Sequence, residues 1–121
     1  MAKILLAEDE EILMMLIRDT LEDEGYEIDE ANDGVEAFEL LQNNDYDLVI
    51  LDFMMPRMTG LEVVEKTRKS LNKIDLKMMI LSAKNQQDDR DLVMKTGADY
   101  FMTKPFSPQQ LIETIEDILH D

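Results

Sequence analysis

YDLVILDFMMPRMTG, residues 46–60, sets a carboxylate at the end of four consecutive apolar residues, Leu48 to Leu51. A run that short, apolar at every position, reads as a strand covered on both faces, because a half-exposed strand alternates polar and apolar residues. Asp52 closes the run and is followed by more apolar side chains, then by Pro56 and Gly60. An ionised carboxylate beside so much apolar surface is costly unless a cation or hydrogen-bond donor compensates it. The fold and the function both turn on what surrounds Asp52.

Working outward, similar runs recur along the chain. Strands are predicted at 3–7, 27–31, 47–51, 77–81 and 98–102, the first, third and fourth as buried apolar runs. The second, Glu27-Ile28-Asp29-Glu30-Ala31, is polar enough to belong at a sheet edge. Helical spacing fills the gaps. Leu13, Leu16, Ile17 and Leu21 share one face of a helix near 10–24, which Gly25 stops. Val35, Phe38 and Leu41 do the same near 34–43, and Leu61 and Val64 near 60–70. A weakly patterned helix near 86–95 stops at Gly97. Ser107-Pro108 has the form of an N-cap with proline at the first helical position, opening a helix that carries Leu111, Ile112, Ile115, Ile118 and Leu119. Strand–helix alternation without internal repeat or linker implies an α/β fold: a doubly wound parallel sheet of five strands and five helices in a single domain, 1–121.

Composition narrows the function classes. With 121 residues and 45% hydrophobic content, the chain can bury a core without disulfides or a structural metal. Its lack of cysteine removes disulfide frameworks, thiolate metal sites and cysteine nucleophiles, and fits a cytoplasmic setting. The apolar segment Ile4–Ala7 is too short for a signal peptide, and no stretch approaches a membrane span. Against 28 acidic residues stand 12 basic ones, a net charge of −16. Phosphate backbones repel such a chain, so direct nucleic-acid binding is not expected.

In a doubly wound sheet, ligands bind beyond the carboxyl ends of the strands, where strand order reverses. The residues following the apolar runs are therefore the candidates: Glu8 and Asp9, then Asp52, then Ser82, then Thr103, Lys104 and Pro105. Taken singly, each has an ordinary explanation as a cap, a turn or a solvated charge. Together they would converge on one sheet edge. Clustered carboxylates suit a hard divalent cation, with Mg²⁺ favoured when few protein oxygens contribute. A lysine and a hydroxyl beside them suit the oxygens of a phosphoryl group, with a carboxylate as its covalent acceptor. No glycine-rich P-loop points to a nucleotide donor.

The acid pair Glu8-Asp9, LDFMMPRMTG at 51–60, LSA at 81–83, GAD at 97–99 and KPF at 104–106 together resemble the receiver domain of two-component response regulators, of the stand-alone chemotaxis or sporulation-phosphorelay type. The resemblance spans essentially the whole chain and implies the flavodoxin-like strand order 2-1-3-4-5. It implies Asp52 as phospho-acceptor, and Mg²⁺ held by Asp9, Asp52 and the backbone carbonyl of Met54, with Glu8 acting mainly through bound water. It further implies Ser82 and Lys104 on phosphoryl oxygens, a cis Lys104–Pro105 bond and Phe101 as the switch aromatic. The implied donor is a histidine kinase or histidine phosphotransfer protein. The implied reader of the helix 4–strand 5–helix 5 face is a downstream protein or a linked output domain. On this reading the protein is a switch that catalyses only its own phosphorylation and slow dephosphorylation.

Several positions depart from the common pattern. The acid pair is Glu-Asp where many relatives have Asp-Asp. Met54 and Lys84, two residues beyond Asp52 and Ser82, flank the path of an attacking water and are expected to tune the lifetime of the phosphorylated state. Phe101 lacks the hydroxyl a tyrosine would bring. Met14 and Met15 on the first helix are candidates for an adaptable kinase-docking surface, weighed against scattered methionine. His120, the only histidine, is not expected to be a ligand. Three other readings fit less well. A haloacid-dehalogenase-type phosphotransferase needs a second acid where Met54 stands. A degenerate receiver would not keep Asp52, Ser82 and Lys104. Flavodoxin-like cofactor binding lacks a phosphate-cradling loop after the first strand.

Overall fold

The apolar run before Asp52 forms β3 (Leu48–Asp52), buried at all five positions. The computed structural model describes residues 2–83 and 90–120. Within them β3 is joined by β1 (Lys3–Ala7), β2 (Glu27–Ala31), β4 (Lys77–Ala83) and β5 (Tyr100–Lys104). Between and after the strands come α1 (Glu11–Asp23), α2 (Gly34–Asn43), α3 (Gly60–Ser70), α4 (Arg90–Thr96) and α5 (Pro108–Leu119). Every strand pairing is parallel, in the order β2-β1-β3-β4-β5. The polar β2 lies at an edge, as its sequence requires.

Alternation along the strands divides the core into two layers. Leu5, Ala7, Val49, Leu51, Met78 and Ile80 face Leu41 of α2, Val63 and Val64 of α3, and Val93 of α4. Their neighbours Ile4, Leu6, Leu48, Ile50, Met79 and Leu81 face Ile17 and Leu21 of α1 and Leu111, Ile115 and Ile118 of α5. Because both faces are covered, the central strands need apolar residues at every position, which is why they read as unbroken runs.

Caps set where the helices begin. The Asp33 side chain accepts from the Glu36 N–H at the start of α2. Thr59 with Glu62, and Ser107 with Gln110, close reciprocal capping boxes on α3 and α5. Gly25, at φ 93°, ends the turn after α1 in a conformation that favours glycine.

The structure moves some boundaries. β5 begins two residues later than expected, because Ala98 still bonds back to Val93 of α4 and Asp99 makes the turn onto Met78. β4 runs on to Ala83, so Ser82 lies within the strand rather than after it. Helix α4 is described from Arg90, so the expected start at 86 lies outside the described residues. On α1 the buried stripe is Met14, Ile17 and Leu21, and Leu16 is exposed. Spacings of three and four place Met14 in line with Ile17 and Leu21, so methionine takes the inward position assigned to Leu16.

Candidate functional site

The carboxyl ends of β1, β3, β4 and β5 lie along one rim of the sheet, and strand parity decides which side chains meet there. Asp52 is two residues beyond Ile50, Lys104 two beyond Met102 and Glu8 two beyond Leu6, all on the α1–α5 side. Ser82 is two beyond Ile80 and falls on the opposite side. Ile80 pairs with Phe101 across β4 and β5, so Ser82 and Phe101 are diagonal neighbours on the face that α4 covers. Glu8, Asp52 and Ser82 are buried, at 1%, 7% and 0% exposure, whereas Asp9 is exposed.

Lys104 ties the acids together. Its Nζ donates to Oε1 of Glu8 at 3.1 Å and to Oδ1 of Asp52 at 3.0 Å. The Glu10 N–H donates to Oε2 of Glu8 at 3.1 Å. Burial pushes the Glu8 carboxyl up to about 7, with the charge of Asp52 adding to the rise. The Glu10 amide and Lys104 pull the other way without cancelling it. For Lys104, burial disfavours the ammonium, but the hydrogen bond to Asp52 and the charges of Asp52 and Glu8 outweigh it, leaving its pKa raised. One lysine therefore serves two buried acids. Carboxylate oxygens of Glu8, Asp9 and Asp52 lie within 4.8 Å of one another. An all-oxygen donor set of that size fits a hard divalent cation.

The backbone around Asp52 is fixed from both sides. The Phe53 N–H donates to the Leu81 carbonyl at 2.8 Å, and the Gly60 N–H to the Phe53 carbonyl at 3.1 Å. A Cβ on Gly60 would collide with the carbonyl oxygen of Asp52, so the start of α3 packs directly on the candidate acceptor. Gly34 similarly abuts the backbone of Met58. Arg57 adopts φ 69° and pairs with Asp33 at 3.3 Å. These glycines were not singled out as site residues from sequence. The only signal was Gly60 immediately after Thr59, a helix-start pattern that says nothing of close packing on Asp52.

The remaining candidates divide. Met54 is exposed beside Asp52, and Phe101 is half-buried. The Lys104–Pro105 bond is cis. Lys84 lies outside the described residues. Met15 is exposed on α1, next to Ile12 and Leu16, which are also exposed. Met14 is not on that surface: it is 5% exposed and packs into the core with Ile17 and Leu21, which removes it as a docking residue. His120 sits near Glu24, Gly25 and Tyr26, just after the end of α5.

Residues 4–116 match the family model of the response regulator receiver domain. The chain is 40% identical over 119 residues to the transcriptional regulatory protein CpxR homolog of Haemophilus influenzae, covering 98% of this chain and 51% of that protein. It is 38% identical over 117 residues to the alkaline phosphatase synthesis transcriptional regulatory protein PhoP of Bacillus subtilis, covering 97% and 48%. Among solved structures, the chemotaxis protein CheY4 of Vibrio cholerae superposes with a TM-score of 0.91 at 32% identity, over 98% of this chain and 99% of that one. The Francisella response regulator 1452 receiver domain superposes at 0.90 with 32% identity, over 99% and 98%. The chain spans about half the length of the curated relatives it matches. Among the described residues, no helix is long and apolar enough to cross a membrane.

Proposed function

The chain belongs to the response regulator receiver family, and from that membership we propose that Asp52 takes a phosphoryl group from a histidine kinase or histidine phosphotransfer protein. The observation that carries this reading is the pairing of buried Asp52 with Lys104 at 3.0 Å, inside a cluster of three carboxylates. An Asp52 oxygen attacks phosphorus while the donor's phosphorus–nitrogen bond breaks and its electron pair returns to the imidazole. Lys104, already charged, transfers one of its hydrogen bonds from Asp52 to a phosphoryl oxygen. The Ser82 hydroxyl donates to a second.

Glu8, Asp9, Asp52 and the Met54 carbonyl are the proposed holders of Mg²⁺. Bound there, Mg²⁺ would offset the charge that accumulates as phosphate meets three carboxylates. Met15, flanked by Ile12 and Leu16, is the proposed adaptable contact for the donor. Ser82 drawn toward the phosphoryl group opens room on the α4 face, into which Phe101 turns. The surface of α4, β5 and α5 then signals to a downstream protein or a linked output domain. The two arrangements must differ by only a few kcal/mol for one modification to invert them. The 1–121 segment acts in this scheme as one receiver unit.

Incubation with acetyl phosphate and Mg²⁺, followed by intact-mass measurement, tests the assignment. The protein should gain one phosphoryl group and Asp52→Asn none, since an amide is a poor nucleophile. Equal labelling of the variant would refute it.

A further inference from the structure

Among the described residues, helix α4 is held at three places of unequal strength. At Arg90, from which the helix is described, the exposed guanidinium lies 5.8 Å from the centroid of the Phe101 ring, a solvated and easily broken contact. In its middle, Val93 is its buried side chain, while Leu92 and Met94 are exposed. At its end stands Arg68 of α3. Arg68 donates from Nε and Nη2 to the Gly97 carbonyl at 3.0 and 2.8 Å, and from Nη1 to the carbonyls of Lys73 and Leu76 at 2.7 and 2.6 Å. Its Nη2 also reaches Oδ2 of Asp99 at 2.9 Å.

A guanidinium has five N–H donors, and all five are engaged here. The same Asp99 oxygen accepts from the Met78 N–H, and the Asp99 N–H donates to the Met78 carbonyl, both at 2.9 Å. The turn 97–99 is thus bonded to Arg68 of α3 and to β4, and Arg68 in turn holds the connection before β4. Gly97, at φ 127°, has the Arg68 stem where a Cβ would point, so the turn packs directly on that side chain.

We infer that Arg68 is the fixed pivot of α4: the helix swings by its Arg90 end, while Gly97, Ala98 and Asp99 stay with α3 and β4. The cause of the swing rests on the switch proposed above, because a turning Phe101 breaks the contact at the Arg90 end and leaves the Arg68 end untouched. The pivot itself does not depend on it. Arg68 is a positioning residue. It confines the displacement to the half of α4 nearest Arg90.

Amide hydrogen exchange by NMR, without phosphodonor, tests this on the wild type, Arg68→Lys and Arg90→Ala. In the wild type the Asp99 amide should exchange as slowly as Ile80 of β4, and Met94 and Lys95, whose helical amides bond back to the carbonyls of Arg90 and Asp91, about tenfold faster or more, by local opening. Arg90→Ala should speed Met94 and Lys95 and leave Asp99 unchanged. Arg68→Lys keeps the charge but loses the five-bond fork, and should bring Ala98 and Asp99 to the rate of Met94. A merely stabilising Arg68 would raise all rates together, which overturns the inference. Asp99 exchanging with Met94 in the wild type overturns it too, and decides the matter even if Arg68→Lys does not fold. Beryllium fluoride with Mg²⁺ separates the two readings: absent shifts at Asp9 and Asp52 would count against the acceptor assignment, while the exchange pattern would still judge the pivot.

Discussion

Glu8→Gln in the metal-free protein should flatten the pH dependence of stability. The buried Glu8 carboxyl holds its proton up to about pH 7, against an ordinary value of 4.5. Between those values the folded chain binds a proton that the unfolded chain has released, so stability is fully present below pH 4.5 and falls as pH rises toward 7. At about 1.4 kcal/mol for each pH unit, that loss is about 3 kcal/mol. Glutamine reproduces the protonated form in size and cannot ionise, so the variant should lack this share of the decline. Urea unfolding in EDTA, at half-unit intervals from pH 4.5 to 8, measures it. Taking the difference between variant and wild type cancels the many surface carboxylates, whose surroundings the substitution leaves alone. The two curves should diverge by about 3 kcal/mol across the window, the wild type falling. Parallel curves would refute the reasoning, because Glu8 would then ionise alike in both states. Adding Mg²⁺ should remove most of the wild-type decline, since a cation among the three acids substitutes for the proton.

Three further outcomes follow from particular contacts. Gly60→Ala must displace the Asp52 carbonyl and should cost about 2–3 kcal/mol in urea unfolding, with slower acetyl-phosphate labelling. Unchanged stability would mean that the two backbones separate freely. Thr67 buries a hydroxyl that has no hydrogen-bond partner among the described residues, so Thr67→Val should stabilise by about 1 kcal/mol and raise Tm by about 4 °C. A lower Tm would show that the hydroxyl is satisfied in solution. Met54→Asn should shorten the lifetime of phosphorylated protein severalfold, because an amide beside Asp52 can orient the attacking water. Each tenfold corresponds to about 1.4 kcal/mol of barrier, and equal decay after donor removal would remove Met54 from that role.

Much of this architecture is legible from the chain alone, because strands covered on both faces leave unbroken apolar runs. The residues ending those runs could be placed on one rim before any coordinates, and Glu8, Asp52 and Lys104 do meet there. Helix phase was less accessible: α1 is apolar at positions 12 to 17 without a break, so spacing alone could not choose between Met14 and Leu16 for the inward face. The two-residue displacement of β5 has a similar origin. Ala98 and Asp99 look extended in sequence, yet their amides are committed to Val93 and Met78. The packing roles of Gly60 and Arg68 are hidden in the sequence for another reason. Their importance lies in backbone atoms distant in sequence, which no local pattern records.

The span of the acid–lysine cluster has a consequence for synthesis. Lys104 bonds Asp52 from 52 residues away and Glu8 from 96, the latter across most of the chain. A nascent polypeptide emerging from the ribosome has both acids long before the cation that balances them. Until β5 is made and seated, neither buried acid has the ammonium that pairs with it in the complete fold. The fifth strand therefore completes the site, because it alone brings the ammonium that both buried acids share.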